Sequence, residues 1–149
     1  MELKPATLYV LATPIGNLED ITCRAVSVLK DTDAIICEDT RITVRLLKRY
    51  DIPRKQLITH FKHREEKAIE PVLQALGRRN ISQLVSDCGH AGYSDPGYFL
   101  VSEVLKAGFD VVPIPGPSAA TALLSVSHIP CRHFYFEGFL PTRKAAEHG

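Results

Sequence analysis

Short apolar, β-branched runs alternate with segments of helical periodicity along nearly the whole chain, and this alternation restricts the fold more than any other feature. TLYVLA, DAIIC, QLITH, ISQLVS, FDVVPI and HFYFEG read as strands. Between them lie helices near Ile21–Lys30 and Arg41–Tyr50, one ending near Arg79, and two more near Tyr98–Ala107 and Pro117–Ser127. Strands that are continuously apolar and joined by helices have both faces covered, so the pattern predicts an α/β fold: a mainly parallel sheet with helices on both faces. With 149 residues, 45% of them hydrophobic, the chain can bury the core of one such domain. Asp20 is expected to cap the first helix, Gly108 to follow the end of the fourth and Pro117 to open the fifth, while Pro71 either kinks the third helix or marks its start.

Several classes of protein are excluded. No apolar run reaches the roughly 18 residues of a membrane span, and the start of the chain lacks the apolar stretch of a signal peptide, so a cytoplasmic location is expected. Cys23, Cys37, Cys88 and Cys131 show no C-x-x-C spacing and are expected to be reduced and mostly buried. His60 and His63, followed by Glu65 and Glu66, match no standard metal spacing and lie in a segment that reads as solvent-facing; no metal is expected.

In an open parallel sheet, ligands bind beyond the carboxyl ends of the strands, and the unusual sequences of this chain gather there. They are T-P-I-G-N (Thr13–Asn17), E-D-T-R (Glu38–Arg41), the glycine-rich run Asp87–Gly97 and P-G-P-S-A (Pro115–Ala119). In the third of these, Gly89, Gly92 and Gly97 let the main chain approach a ligand, and Asp87 and Asp95 can accept hydrogen bonds from it. Neither the G-x-G-x-x-G nor the G-x-x-x-x-G-K-[ST] pattern is present, and Ser94 lies in G-Y-S-D-P rather than in a hydrolase elbow.

Charge is unevenly distributed. The net charge is only +1, yet eight Lys or Arg residues fall between Arg41 and Arg64 against one acid, Asp51. Arg41, Arg45 and Arg49 recur every fourth residue with Lys48 beside them. They form either a footprint for nucleic-acid phosphates or the solvated face of an amphipathic helix whose apolar stripe is Ile42, Leu46 and Tyr50. Tyr93 and Tyr98 can either stack on a base or pack on the following helix.

The stretches LYVLATPIGNLEDIT, EDTR, LVSDCGHAGYSDPGY, VVPIPGPSA and FYFEGFLP, in this order, resemble the tetrapyrrole-methylase superfamily. Within it they are similar to the branch of ribosomal RNA small-subunit methyltransferase I. The resemblance implies transfer of a methyl group from S-adenosylmethionine to the 2′-hydroxyl of a cytidine in 16S ribosomal RNA, by a homodimer without metal. It places Pro14 and Gly16 near the cofactor cleft, Asp87, Gly89, His90, Ser94 and Asp95 on the methionine side of the donor, and Pro115, Gly116, Ser118 and Ala119 on its other side. Arg41 would meet an RNA phosphate together with Arg45, Lys48 and Arg49, and Asp39 would accept a proton; the alternative is that Asp39 or Thr40 caps a helix and Arg41 pairs with Glu38. His90-Ala91 stands where the family usually has Thr-Pro. The resemblance also implies that residues 1–140 are an N-terminal domain, that 141–149 begin a linker, that a second domain is missing, and that the chain alone is weak or inactive. Two other readings remain: a methyltransferase for porphyrin-like small molecules, and a non-catalytic module for RNA binding or dimerisation.

Overall fold

A computed structural model describes residues 2–60, 65–85 and 97–137. Five strands, β1 (Thr7–Leu11), β2 (Ala34–Cys37), β3 (Gln56–Thr59), β4 (Ser82–Val85) and β5 (Asp110–Ile114), form one sheet in the order β3-β2-β4-β1-β5, and every pairing is parallel. The helices are α1 (Cys23–Asp31), α2 (Thr40–Arg49), α3 (Glu65–Gly77), α4 (Gly97–Lys106) and α5 (Ala119–Val126). Among the described residues, no helix is long and apolar enough to cross a membrane.

Strand residues alternate between two cores, as the period-2 geometry of a strand requires. Tyr9, Leu11, Ile35, Cys37, Val85 and Ile114 point to the face covered by α1 and α2, where Ala25, Val28, Leu29, Leu46 and Leu47 meet them. Leu8, Ala34, Ile36, Ile58 and Leu84 point to the other face, against Val72 and Leu76 of α3 and Leu100 and Val104 of α4. Ser82 and Thr7 are buried within this frame. The two outer strands are β3 and β5; Pro113, which has no N–H to give to a ladder, sits in the latter.

Several local expectations shift. Asn17 caps a 3-10 turn, Leu18–Asp20, by accepting from the Glu19 N–H, which takes Asp20 into that turn; Thr22 instead caps α1, its hydroxyl accepting from the Ala25 N–H at 3.1 Å. The buried stripe of α2 contains Thr43, Leu46 and Leu47, while Ile42 is exposed. Pro71 lies within α3, which runs on through it. Pro117 precedes the cap position of α5, held by Ser118. Gly108 has φ +84°, the left-handed conformation that ends a helix most easily at glycine. Residues 129–137 form no strand, so HFYFEG is not a sixth strand within the described residues; Phe134, Tyr135 and Phe136 are exposed. Cys37 is buried, but Cys23 and Cys131 are exposed thiols rather than core residues. His60, expected to face solvent, is buried at the exit of β3, its N–H donating to the Cys37 carbonyl at 2.8 Å. Cys88, His63 and the strand-end run Asp87–Pro96 lie outside the described residues.

Candidate active site at the carboxyl ends of the strands

The sheet order arranges the strand exits in a row: His60 after β3, Glu38–Arg41 after β2, segment 86–96 after β4, Thr13–Asn17 after β1 and Pro115–Ala119 after β5. Neighbouring exits are separated by roughly 4.8 Å, the spacing of paired strands. The helices that follow β1 and β2 cover one face of the sheet, whereas α4, the helix that follows β4 between them, lies on the other. Adjacent strands whose connections leave in opposite directions open a crevice above the sheet.

At the β1–β5 end the two exits are drawn together. The Ala12 N–H donates to the Ile114 carbonyl at 3.2 Å. A Cβ built on Gly116 would lie 2.9 Å from the Ala12 Cβ and 3.1 Å from the Ala12 carbonyl oxygen, so only glycine allows this approach. Beside the contact opens a cleft of about 700 Å³ lined by Ile15, Asp20, Thr22, Gly116, Ser118 and Thr121 among others. Ser118 holds the cap position of α5, but its hydroxyl makes no bond to the helix and is left for other use. Pro14 is half-buried, and Gly16, Pro115 and Ala119 are exposed along the same two loops. The structure thus brings Pro14, Gly16, Pro115, Gly116, Ser118 and Ala119 to one end of the rim. Asp87, Gly89, His90, Ser94 and Asp95 belong to the segment that leaves central β4 and lie outside the described residues, as does Tyr93. Tyr98 stands exposed near the start of α4 and is not packed on that helix.

At the exit of β2, two roles left open by the sequence coincide. Asp39 caps α2, its carboxylate accepting from the Arg41 N–H at 2.8 Å. The same carboxylate accepts from the Arg41 guanidinium, Nη2 to Oδ2 at 2.8 Å and Nε to Oδ1 at 3.1 Å. Arg41 therefore pairs with Asp39, not Glu38. The guanidinium and then the backbone N–H of Arg41 pull the Asp39 pKa down to about 2, since both favour the charged carboxylate. Arg41 in turn is held more firmly protonated by the hydrogen bond and the charge of Asp39. Its side chain nevertheless remains 88% exposed and can reach a ligand.

The cationic residues of α2 separate into two flanks. Arg41, Arg45 and Arg49 follow one another at every fourth residue, and the last of them reaches the 3-10 turn, where it pairs with Glu19 at 3.1 Å; it also lies over the Tyr50 ring, 5.7 Å from its centroid. Tyr50 fixes that contact through its hydroxyl, which donates to the Leu18 carbonyl at 2.6 Å. Lys48 lies on the other flank, in a second cleft that also contains Arg54 and Lys55. Sequence patterning did not single out Thr22, Thr121, Arg54 or Lys55. The first was signalled only as a threonine before a helix, and the last two only as members of the basic run.

Residues 7–147 match the family model described as tetrapyrrole (corrin/porphyrin) methylases. The chain is 46% identical over 138 residues to the ribosomal RNA small subunit methyltransferase I of Halalkalibacterium halodurans, spanning 93% of this chain and 47% of that relative. It is 48% identical over 141 residues to the protein of that name from Mesorhizobium japonicum (95% and 47%), and 45% identical over 137 residues to that from Thermotoga maritima (92% and 61%). The chain thus spans roughly half to three-fifths of the length of these relatives. Its fold is similar to that of uroporphyrin-III-C-methyltransferase from Thermus thermophilus, with a TM-score of 0.61 at 17% identity over 86% of this chain and 54% of that one. With the model matched across nearly its whole length and the parallel sheet superposing on a methylase of known structure, the chain belongs to the tetrapyrrole methylase family.

Proposed function

We propose that this chain is the donor-binding half of an S-adenosylmethionine-dependent methyltransferase acting on the 2′-hydroxyl of a cytidine in 16S ribosomal RNA. The observation that carries the reading is the rim itself: a cleft formed by the close approach of Gly116 to Ala12 stands in one row with a solvent-facing arginine held by a carboxylate. The names of relatives about 45% identical supply the substrate class.

The cleft fits the donor. Ile15 and Gly116 offer apolar contact, Ser118 and Thr121 offer hydroxyls, and Pro115 offers main-chain groups, the mixture an amphipathic molecule of this size needs; Ala119, the first residue of α5, would add its main chain beside Ser118. Pro14 and Gly16 would close one side, and Asp87, Gly89, His90, Ser94 and Asp95 the methionine side. When bound, the donor supplies an electrophilic methyl group on a sulfonium. The protein's part is to hold sulfur, methyl and the ribose oxygen in line. Arg41 would clamp an RNA phosphate beside the rim, with Arg45 and Arg49 extending the contact and Lys48 on the neighbouring flank. Asp39, with a pKa near 2, is too weak a base to hold a hydroxyl proton, so its part is to position Arg41.

The same reading places the enzyme in the cytoplasm as a homodimer. It assigns residues 1–140 to the first domain, with a linker beginning at 141. The apolar residues exposed on α5 and in 129–137, among them Leu123, Val126 and Tyr135, would be covered by a second domain, and the chain alone would be a poor catalyst. Calorimetric titration of S-adenosylhomocysteine tests the donor half of the proposal. Saturable binding that Ser118→Ala weakens and Gly116→Val abolishes supports it. No binding either by this chain or by one extended to the length of its relatives overturns it.

A further inference from the structure

Beneath the rim, α2 and β3, an outer strand of the sheet, enclose a second cleft, of about 810 Å³, whose lining includes Thr40, Val44, Lys48, Arg54, Lys55 and Leu57. None of the residues lining it is acidic. It begins at Thr40, between Asp39 and Arg41, and follows α2 to Lys48, a run of about 12 Å at the rise of a helix. Its far end is Arg54 and Lys55, just before the amino end of β3.

Three observations make this cleft suited to a polyanion with apolar faces. Its cations are not neutralised: no carboxylate among the described residues lies within ion-pair distance of Lys48, Arg54 or Lys55, whereas Arg41 and Arg49 are paired with Asp39 and Glu19. Among the described residues the Lys55 ammonium donates to the Lys30 carbonyl at 2.6 Å, which orients the charge without cancelling it. Between the cations the walls are apolar, through Val44 and the half-buried Leu57, where a base or ribose can rest. The third is the outer edge of β3, which among the described residues pairs only with β2 and so presents main-chain groups beside the cleft.

We propose that this cleft is a second RNA-binding site, holding the substrate strand where it runs on from the nucleotide presented at the rim. The inference rests on the reading of the substrate as RNA and adds Arg54 and Lys55 to the residues that hold it. Lysine and arginine also guard edge strands against pairing with other chains, but that use requires neither a concave site nor apolar walls between the charges.

Fluorescence anisotropy with a labelled single-stranded RNA of mixed sequence, measured across a salt series, tests the proposal. The chain carrying Lys48→Gln, Arg54→Gln and Lys55→Gln is compared with wild type and with Arg41→Gln/Arg45→Gln. The triple variant is expected to bind about tenfold more weakly at low salt, and its log–log salt slope to be shallower by about 2, at ~0.7 per lost phosphate contact on a single strand. Its affinity for S-adenosylhomocysteine should be unchanged. Should the triple variant lose its fold by circular dichroism, Arg54→Gln and Lys55→Gln singly must each lower the slope by about 0.7. Unchanged RNA affinity in the triple variant, with loss in Arg41→Gln/Arg45→Gln, overturns the second site and leaves the RNA reading standing. The same holds if the variant aggregates while its affinity is kept, which assigns the cations to edge protection. Wild type that binds S-adenosylhomocysteine but no RNA overturns both the site and the RNA substrate, and leaves the donor site in place.

Discussion

The two edges of the sheet solve the problem of an outer strand differently. At the β3 edge, α2 buries Thr43, Leu46 and Leu47 and turns a cationic surface to water. At the β5 edge, α5 reads AATALLSV, and none of its residues is buried. Val111 and Val112 of β5 are only half-covered, and the chain continues past α5 with Ile129, Phe134, Tyr135 and Phe136 exposed. An exposed apolar surface of this extent is uncommon on a finished monomer. The first edge therefore has the character of a completed surface open to a charged ligand, and the second that of a surface awaiting protein. The β1–β5 cleft lies at the second edge, so whatever covers α5 also stands beside that cleft.

The largest effect that could break this comparison is in the stability of the two helices. Leu46, 4% exposed, and Leu123, 69% exposed, are both leucines on helices at opposite ends of the sheet. Leu46→Ala should cost about 2–4 kcal/mol in urea unfolding, through lost burial and the cavity left behind. Leu123→Ala should stay within about 0.5 kcal/mol of wild type at low protein concentration. A large cost at Leu123 would mean that α5 is already covered, by a second copy of the chain, and the cost would then grow with protein concentration.

Next in size is the contact between the two exits at the β5 end. Gly116→Ala must force apart the Ala12 side chain and carbonyl, neither of which is a flexible chain end. Overpacking of this kind costs about 1–3 kcal/mol, and affinity for S-adenosylhomocysteine should fall with it. Gly16→Ala is the matched control: it lies in the facing loop with nothing within 4 Å of the new Cβ. Equal stability of the two variants would show that the exits do not need their close approach.

A smaller effect tests how firmly the β3 end is held. Tyr50→Phe removes the hydroxyl that donates to the Leu18 carbonyl at 2.6 Å and should cost about 1 kcal/mol. It should also loosen the Arg49–Glu19 pair, measurable as a change in salt dependence of RNA binding. No change in either would reduce that flank of α2 to a solvated face.

The alternation of strands and helices, and the two-faced core, were legible because runs such as Leu8, Tyr9, Val10 and Leu11 are apolar at every position, as a strand buried on both faces requires. The strand order was not, since it depends on which crossovers pack together. HFYFE has the composition of a strand but no partner among the described residues, and composition cannot supply one. The N-cap moved from Asp20 to Thr22 because Asn17 starts a separate turn that no periodicity announces. The stripe of α2 was misplaced by one residue, Ile42 for Thr43, because a buried threonine was not counted as a core residue. On a helix one residue is a rotation of about 100°, and this is also why Lys48 and Arg49, neighbours in sequence, serve different flanks. The rim loops were legible as a group, but that Asp39 would both cap α2 and grip Arg41 needed coordinates.

The smallest predicted effect concerns that grip and has a defined pH window. The folded state lowers the Asp39 pKa from 3.8 to about 2, so between those values the unfolded chain binds more protons at this carboxyl than the folded one. The contribution is therefore fully present above pH 3.8 and is lost as pH falls through about 2. Asp39→Asn keeps a side-chain oxygen able to cap α2 but removes the charge that holds Arg41. Relative to this variant, wild type should gain stability as pH rises through the window, hold a constant difference above it and converge with the variant below it. RNA binding at neutral pH gives the second readout: if Asp39 positions Arg41, the Asn variant should weaken the RNA complex while leaving S-adenosylhomocysteine binding at the opposite end of the rim intact. A difference in stability that persists below pH 2 would mean the carboxylate acts by its shape as a cap alone, and the β2 exit would then contribute an arginine that nothing aims.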